Sequence, residues 1–370
     1  MRADGGKDFE SMKKEIFVSG RTELAGNHTD HQNGRCLAAA IDLGIQASFE
    51  ANGSDVIRMR SEGYESFEIK TGQLSVRTAE FGRPRALVRG VVAAFKELGL
   101  SVGGFDAVIA SDMPAGSGLS SSAAFSVLTG KILNELFNGG QLNPIVIARA
   151  AQQAEKQYFG KPCGLMSQLV CAMGCTVYAD FATGEIQRLQ PDFSAMGLTL
   201  CLTNTGGSHE GLATSYARIP ADMVYIANLF DKGLLGDVDP EQFRKRGWDA
   251  SNRPVRRAMH FFNENDRVPQ MRDALIAGDG ETYMRLMNES GRSSEELLNN
   301  IVTSATGDEK LAQGLEKSAR LLAGRGAWRV HGGGFAGCVQ ALMPSDYFPV
   351  YKAEMEKSFG PDSCREIKLI

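Results

Sequence analysis

Four polar, glycine-bearing segments carry most of the side chains in this chain that could do chemistry. The first spans residues 111–124, SDMPAGSGLSSSAA. Glycine lets backbone pass close to a ligand, and amides at a helix start point outward with partial positive charge. A phosphate is the natural guest of such a turn. A plain strand-to-helix turn with one capping serine is the alternative. Capping needs one hydroxyl, however, and Ser120, Ser121 and Ser122 follow one another directly. The surplus fits a second task, such as holding a phosphate-bound magnesium ion. The segment is not a Walker A motif, because GxxxxGK[ST] occurs nowhere in the chain.

The second segment, residues 20–34, reads GRTELAGNHTDHQNG. Such a loop suits a polyhydroxylated ligand: Asp30 accepts hydrogen bonds from hydroxyls, His28 donates or accepts, and Asn27 does both. Arg21 offers fixed positive charge where a phosphoryl group moves. His28 and His31 also invite a metal reading, but two histidines and one carboxylate are few ligands and no third histidine lies nearby. The third segment, residues 154–168, holds Glu155, read either as an exposed helical glutamate or as a carboxylate ligand for magnesium, which prefers oxygens. The fourth, VHGGGFAGC at 330–338, formally matches GxGxxG. A strand rather than a helix is expected after it, so the dinucleotide reading fails its context. Its glycines more simply allow close backbone approach.

The elements that must position these segments are legible in outline. A strand at 105–110 enters the serine-rich loop. A helix leaves it, with Ala123, Ala124, Val127, Leu128, Ile132, Leu133 and Leu136 on one face. Strands at 14–19 and 36–50 flank a polar loop at 21–34. Residues 56–60 and 66–70 read as an antiparallel pair, and helices are expected at 85–98 and 144–159. A hinge is placed at 181–194, and a strand at 198–203 opens the second half. Helices follow at 221–230, 253–263, 268–277, 282–289 and 309–323, then strands at 327–330 and 338–344 and a helix at 349–358. The pattern is α+β with two domains, 1–185 and 195–370.

Composition narrows the partners. The chain has 370 residues, 43% apolar and 23% charged, with a net charge of −4. No Lys/Arg block stands out, and the nearest basic cluster, Arg244-Lys245-Arg246, is short, so neither nucleic acid nor an anionic membrane is an expected partner. No apolar run approaches the roughly 18–20 residues of a membrane span. The polar N-terminus lacks the apolar core of a signal peptide. Seven scattered cysteines, an odd number, argue for a reducing compartment, most simply the cytoplasm. Cys171 and Cys175 read as small buried apolar residues.

Taken together, GRTELAGNHTDHQNG, PAGSGLSSSAA and HGGGFAGC resemble the sugar, nucleotide-phosphate and C-terminal glycine-rich motifs of the galactokinase branch of the GHMP small-molecule kinases. The stretches NTGGSHEGLATSYARIP and GRGAWRVHGGGFAG fit as well, so the resemblance covers nearly the whole chain. It implies a two-domain α+β fold with the active site in the cleft between domains. It also implies ATP- and Mg2+-dependent phosphorylation of galactose at C1, by a chain expected to be a monomer. Arg21 matches the arginine that stabilises the transition state. Asn27, His28, Asp30 and Tyr216 match sugar-binding positions. Gly116, Ser117, Gly118, Leu119, Ser120, Ser121 and Ser122 match the ATP loop, and Ser122 and Glu155 the magnesium ligands.

Two departures stand out. Asn27 replaces the family's usual glutamate (GNHTD for GEHTD), and Ser167 replaces the catalytic aspartate (GLMSQ for GxMDQ). A serine hydroxyl takes no proton at neutral pH. The proton then falls to a water held by Ser167 or to a neighbour such as Asp30. Three functions follow: a galactokinase-type kinase, a related kinase for another sugar, or a sugar- and ATP-binding protein with weak or lost catalysis.

Overall fold

The computed structural model describes residues 13–61, 63, 65–114, 118–207, 211–303 and 306–370. Its first half builds one sheet around a single long strand. The strands are β1 (Lys14–Ala25), β2 (Arg35–Ala51), β3 (Val56–Ser61), β4 (Phe67–Lys70), β5 (Phe105–Ser111), β6 (Thr176–Asp180) and β7 (Glu185–Leu189). β2 is long enough to serve three partners. β1 pairs antiparallel with it from Lys14↔Phe49 to Ala25↔Leu37. β5 pairs with residues 45–51 and β6 with residues 35–38. The path β4-β3-β5-β2-β6-β7 is antiparallel except for the parallel β3–β5 pair.

Helices α1 (Pro84–Glu97), α2 (Ser121–Phe137), α3 (Pro144–Gln153) and α4 (Met166–Met173) pack on this sheet and on one another. The α2 residues Ala123, Ala124, Val127, Leu128, Ile132 and Leu133 are all buried, the face expected from their spacing.

The second half carries a smaller antiparallel sheet in the order β11-β8-β10-β9. Its strands are β8 (Leu198–Asn204), β9 (Ala327–His331), β10 (Cys338–Pro344) and β11 (Cys364–Glu366). The helices are α5 (Ala213–Asn228), α6 (Pro240–Lys245), α7 (Arg253–Ala277), α8 (Gly280–Ser293), α9 (Lys310–Leu322) and α10 (Phe348–Phe359). The whole is α+β. None of the described helices is long and apolar enough to cross a membrane.

Several expectations need correction. β1 runs on through Ala25, so Arg21 lies on a strand and the polar loop is only residues 26–34. The continuation is polar because its side chains meet the second half of the chain rather than solvent. The hinge placed at 181–194 contains β7, an edge strand paired with β6. The helices expected at 253–263 and 268–277 are one 25-residue helix, α7. The polar run between them is helical because Glu264 and Asn265 bind backbone amides of the 26–35 segment. The helix expected at 144–159 is regular only to Gln153; residues Ala154–Tyr158 form a π turn.

Candidate active site

Arg21 is held from three sides. The β1–β2 register shifts between Ser19 and Arg21, a bulge that re-aims the strand. The Arg21 amide then donates to the Leu119 carbonyl at 3.1 Å. Its guanidinium NH1 donates to the Gly118 carbonyl at 2.9 Å and its Nε to Ser167 Oγ at 3.0 Å. The buried cation is thus fixed between the serine-rich loop and the start of α4. Ser167 Oγ also accepts from Ser120 Oγ at 3.1 Å, which leaves its own hydrogen free to donate. Ser120 has φ +66°, a left-handed conformation that costs a non-glycine residue about 1–2 kcal/mol. Such strain concentrates at functional sites.

Beyond Ser120 begins α2. Ser122 Oγ donates to Glu155 Oε2 at 3.2 Å. Lys161 Nζ reaches both, 3.2 Å from Ser122 Oγ and 3.3 Å from Glu155 Oε2. Glu155 is only 1% exposed, so the exposed-glutamate reading is wrong. The π turn supplies the cause, since its extra residue rotates the helix surface; such turns recur at functional sites. Gln168 Nε2 holds the other carboxylate oxygen at 2.9 Å. One carboxylate and one hydroxyl thus converge beside the serine-rich loop, oxygen donors of the kind that could hold magnesium. No cluster of three or more His, Cys, Asp or Glu able to hold a metal ion occurs among the described residues. Gly116 and Ser117 lie outside the described residues. Leu119 is buried, Ser121 exposed, and Ser122 partly exposed.

The 26–34 loop turns through the short helical turn Asp30–Gln32. His28 and Asp30 are partly exposed. His28 Nε2 lies 3.1 Å from the Gly333 carbonyl, and its Nδ1 lies 3.1 Å from His31 Nε2. Burial first, then the neighbouring His31, lowers the His28 pKa to about 3. Burial likewise lowers that of His31 to about 4. Both rings are neutral at physiological pH. Asp30 Oδ2 accepts from the Met166 amide at 3.3 Å, and burial raises its carboxyl above the usual range. Gly164 is required opposite it, because a Cβ there would stand 1.9 Å from Asp30 Oδ2. Tyr216 approaches from α5, with its hydroxyl donating to the Gly334 carbonyl at 2.7 Å.

Asn27 sits differently from the sugar-facing position expected of it. It is buried, and its amide nitrogen donates to Glu23 Oε1 at 3.1 Å and to the Gly332 carbonyl at 2.7 Å. Its oxygen accepts from Ser294 Oγ at 3.3 Å and Asn300 Nδ2 at 3.2 Å. With its amide bonded on both sides, Asn27 ties the loop to the glycine-rich segment.

Sequence reasoning missed the residues behind the loop. Glu264 Oε1 on α7 accepts the Gly26 amide at 3.1 Å, and His260 Nε2 lies 2.9 Å from the Asn27 carbonyl. Burial raises the Glu264 pKa, but Arg267, His260 and Arg329 outweigh it and leave the carboxyl below its ordinary value. A charged residue on the apolar face of a helix was the available signal.

Comparison with known proteins finds matches in both sequence and fold. Residues 86–175 match the model of the GHMP kinases N-terminal domain, and residues 7–50 match the galactokinase galactose-binding signature. The Lactococcus lactis galactokinase, solved in complex with galactose, superposes with TM-score 0.84 at 21% identity, covering 97% of this chain and 94% of that one. The Methanococcus jannaschii mevalonate kinase gives TM-score 0.67 at 16% identity, covering 98% and 99%. The Streptococcus pneumoniae phosphomevalonate kinase gives 0.66 at 13%, covering 97% and 100%. The domain match over residues 86–175 and the shared fold make this chain similar to the GHMP kinases. The signature over residues 7–50 extends that similarity to the galactokinases.

Proposed function

We propose that the protein transfers the γ-phosphoryl group of ATP to the C1 hydroxyl of galactose, giving galactose 1-phosphate. The observation that carries this reading is the tethering of Arg21. Its guanidinium is fixed between Gly118 of the serine-rich loop and Ser167, close to the segment that bears Asp30. There it can stabilise charge that develops on a phosphoryl group in flight. In this reading Ser120, Ser121, Ser122 and the amides at the start of α2 receive the triphosphate. Ser122 and Glu155 would hold Mg2+, which would neutralise phosphate charge. His28, Asp30 and Tyr216 bind the sugar hydroxyls.

Ser167 supports positioning but not proton removal. Phosphoryl transfer has a loose transition state that depends chiefly on alignment and charge stabilisation. The chain therefore keeps the larger part of the machinery and gives up general-base assistance from position 167, typically worth about 10²–10⁴-fold when fully present. The expected result is slow but genuine turnover. Asp30, its pKa raised by burial, is the carboxylate available to take the hydroxyl proton. The commitment of Asn27 to protein partners removes the residue-level argument for another sugar. We further propose a cytoplasmic monomer; all seven cysteines are free thiols, which suits a reducing compartment.

Incubation with ATP, magnesium and galactose, followed by assay of sugar 1-phosphate, tests the reading. Product that rises with enzyme concentration is expected. Binding of both ligands without product would favour the non-catalytic alternative.

A further inference from the structure

His331, at the end of β9, is absorbed by neither the sugar loop nor the phosphate loop, and it lies outside both matched segments. It is 3% exposed, and its Nδ1 has no hydrogen-bond partner among the described residues. That nitrogen faces Gly118: a Cβ built on Gly118 would lie 3.3 Å from it. Gly118 has φ +70° and itself accepts the Arg21 guanidinium. A buried polar atom and a fixed cation therefore address the same turn of the loop.

A chain of hydrogen bonds decides which nitrogen of the ring carries the hydrogen. Arg329 Nε donates to Gln340 Oε1 at 2.9 Å and so orients that amide. Gln340 Nε2 then donates to Thr22 Oγ1 and to the Glu23 carbonyl, each at 2.8 Å. The Thr22 hydroxyl hydrogen is left for His331 Nε2, 3.1 Å away. The Glu23 amide points at the same nitrogen from 3.4 Å, and a backbone N–H can only donate. Nε2 is therefore the acceptor, and a ring with one hydrogen carries it on Nδ1. Burial, then Arg21 and Arg329, holds the His331 pKa well below 6.5, so the ring takes no second proton. The outcome is a preorganised, buried N–H that lacks an acceptor among the described residues, beside the serine-rich loop. Buried donors of this kind are rare and call for an explanation.

We propose that His331 is a nucleotide-phosphate ligand: its Nδ1–H donates to a phosphate oxygen of ATP seated against Gly118, alongside the Arg21 guanidinium. The assignment rests on the kinase reading above and adds a residue from the C-terminal half to the phosphate site. Thr22, Gln340 and Arg329 become positioning residues that fix its tautomer.

The first test uses the wild-type protein labelled with 15N-histidine. Nδ1 carries the hydrogen in the free protein, and that proton shifts downfield on adding the magnesium complex of a non-hydrolysable ATP analogue but not on adding galactose. An unprotonated Nδ1, or a resonance that ignores the analogue, overturns the proposal. The second test compares His331→Leu, which deletes the donor, with His331→Asn, which places an amide N–H near the same point. For the leucine variant kcat/KM for ATP falls about ten- to hundredfold, the range of a hydrogen bond to a charged group. The asparagine variant recovers most of it, and galactose affinity holds in both. Unchanged ATP kinetics in a folded leucine variant sinks this inference and leaves the kinase reading standing. A wild-type protein that makes no sugar phosphate while its Nδ1 responds to the analogue does the reverse.

Discussion

At the scale of single residues, Arg21 and Ser167 test the chemistry. Ser167 Oγ lies 3.0 Å from Arg21 Nε, so a carboxylate at this position would meet the guanidinium as an ion pair and could also accept the C1 hydroxyl proton. Ser167→Asp is expected to raise kcat about tenfold or more with little change in galactose KM, measured by steady-state kinetics. A folded variant with unchanged or lower kcat would mean that proton removal does not run through this position. Arg21→Lys asks the complementary question. Lysine is a point charge without the fork that reaches Gly118 and Ser167 together. Loss of that preorganised charge is expected to lower kcat by about 10²–10³-fold. A matching rise in KM with kcat intact would place Arg21 in ground-state binding instead.

At the scale of elements, legibility follows how local each cause is. The α2 helix was visible because its apolar spacing is written in its own residues, and the β3–β4 pair for the same reason. Glu155 was singled out, but its burial was not visible: it depends on a π turn that periodicity cannot distinguish from regular helix. The extension of β1 through Ala25 was lost because its polar side chains are satisfied by residues some three hundred positions later, such as Gln340 and His331. The 26–34 loop is where this dependence has a measurable consequence. The four described histidines, His28, His31, His260 and His331, all have lowered pKa values. Below the ordinary value of 6.5 the unfolded chain binds protons that the folded chain refuses, so stability present above that pH is lost as the pH falls toward about 4 and 3. Urea midpoints are expected to drop between pH 7.5 and pH 5, and His31→Gln should flatten the drop. An equal slope in that variant would show that His31 titrates normally. Gly164→Ala tests the same loop sterically: a Cβ placed 1.9 Å from Asp30 Oδ2 must displace the carboxylate. Galactose KM should rise at least about tenfold, while the affinity for ATP stays within about twofold, the loss of one charge-assisted hydrogen bond.

At the scale of the whole molecule, the two sheets meet along two seams, and both run to Arg21. One is polar and buried: Arg329 lies 3.3 Å from Glu23 Oε1 and donates to the Glu23 carbonyl at 2.7 Å, with Gln340 beside it. Removing one partner of such a pair costs about 3–5 kcal/mol, because the other charge stays buried. The other seam is the segment 367–370, which crosses from the small sheet to the large one. Ile367 donates its amide to the Leu200 carbonyl of β8 at 2.9 Å. The Asp42 amide then donates to the Lys368 carbonyl at 3.1 Å, Leu369 bridges Ile41, and the Ile370 amide donates to the Ala40 carbonyl at 3.0 Å. Ala40 is the β2 residue paired with Arg21. A chain shortened before Ile367 loses three backbone hydrogen bonds, worth about 2–4 kcal/mol together. It also leaves the strand behind Arg21 less supported. The expected outcome is a lower urea midpoint and a kcat that falls more than either substrate affinity, since a small displacement of Arg21 weakens the transition state more than the ground state. Equal losses in kcat and in both affinities would instead mark the segment as a purely global brace, with no special tie to the arginine.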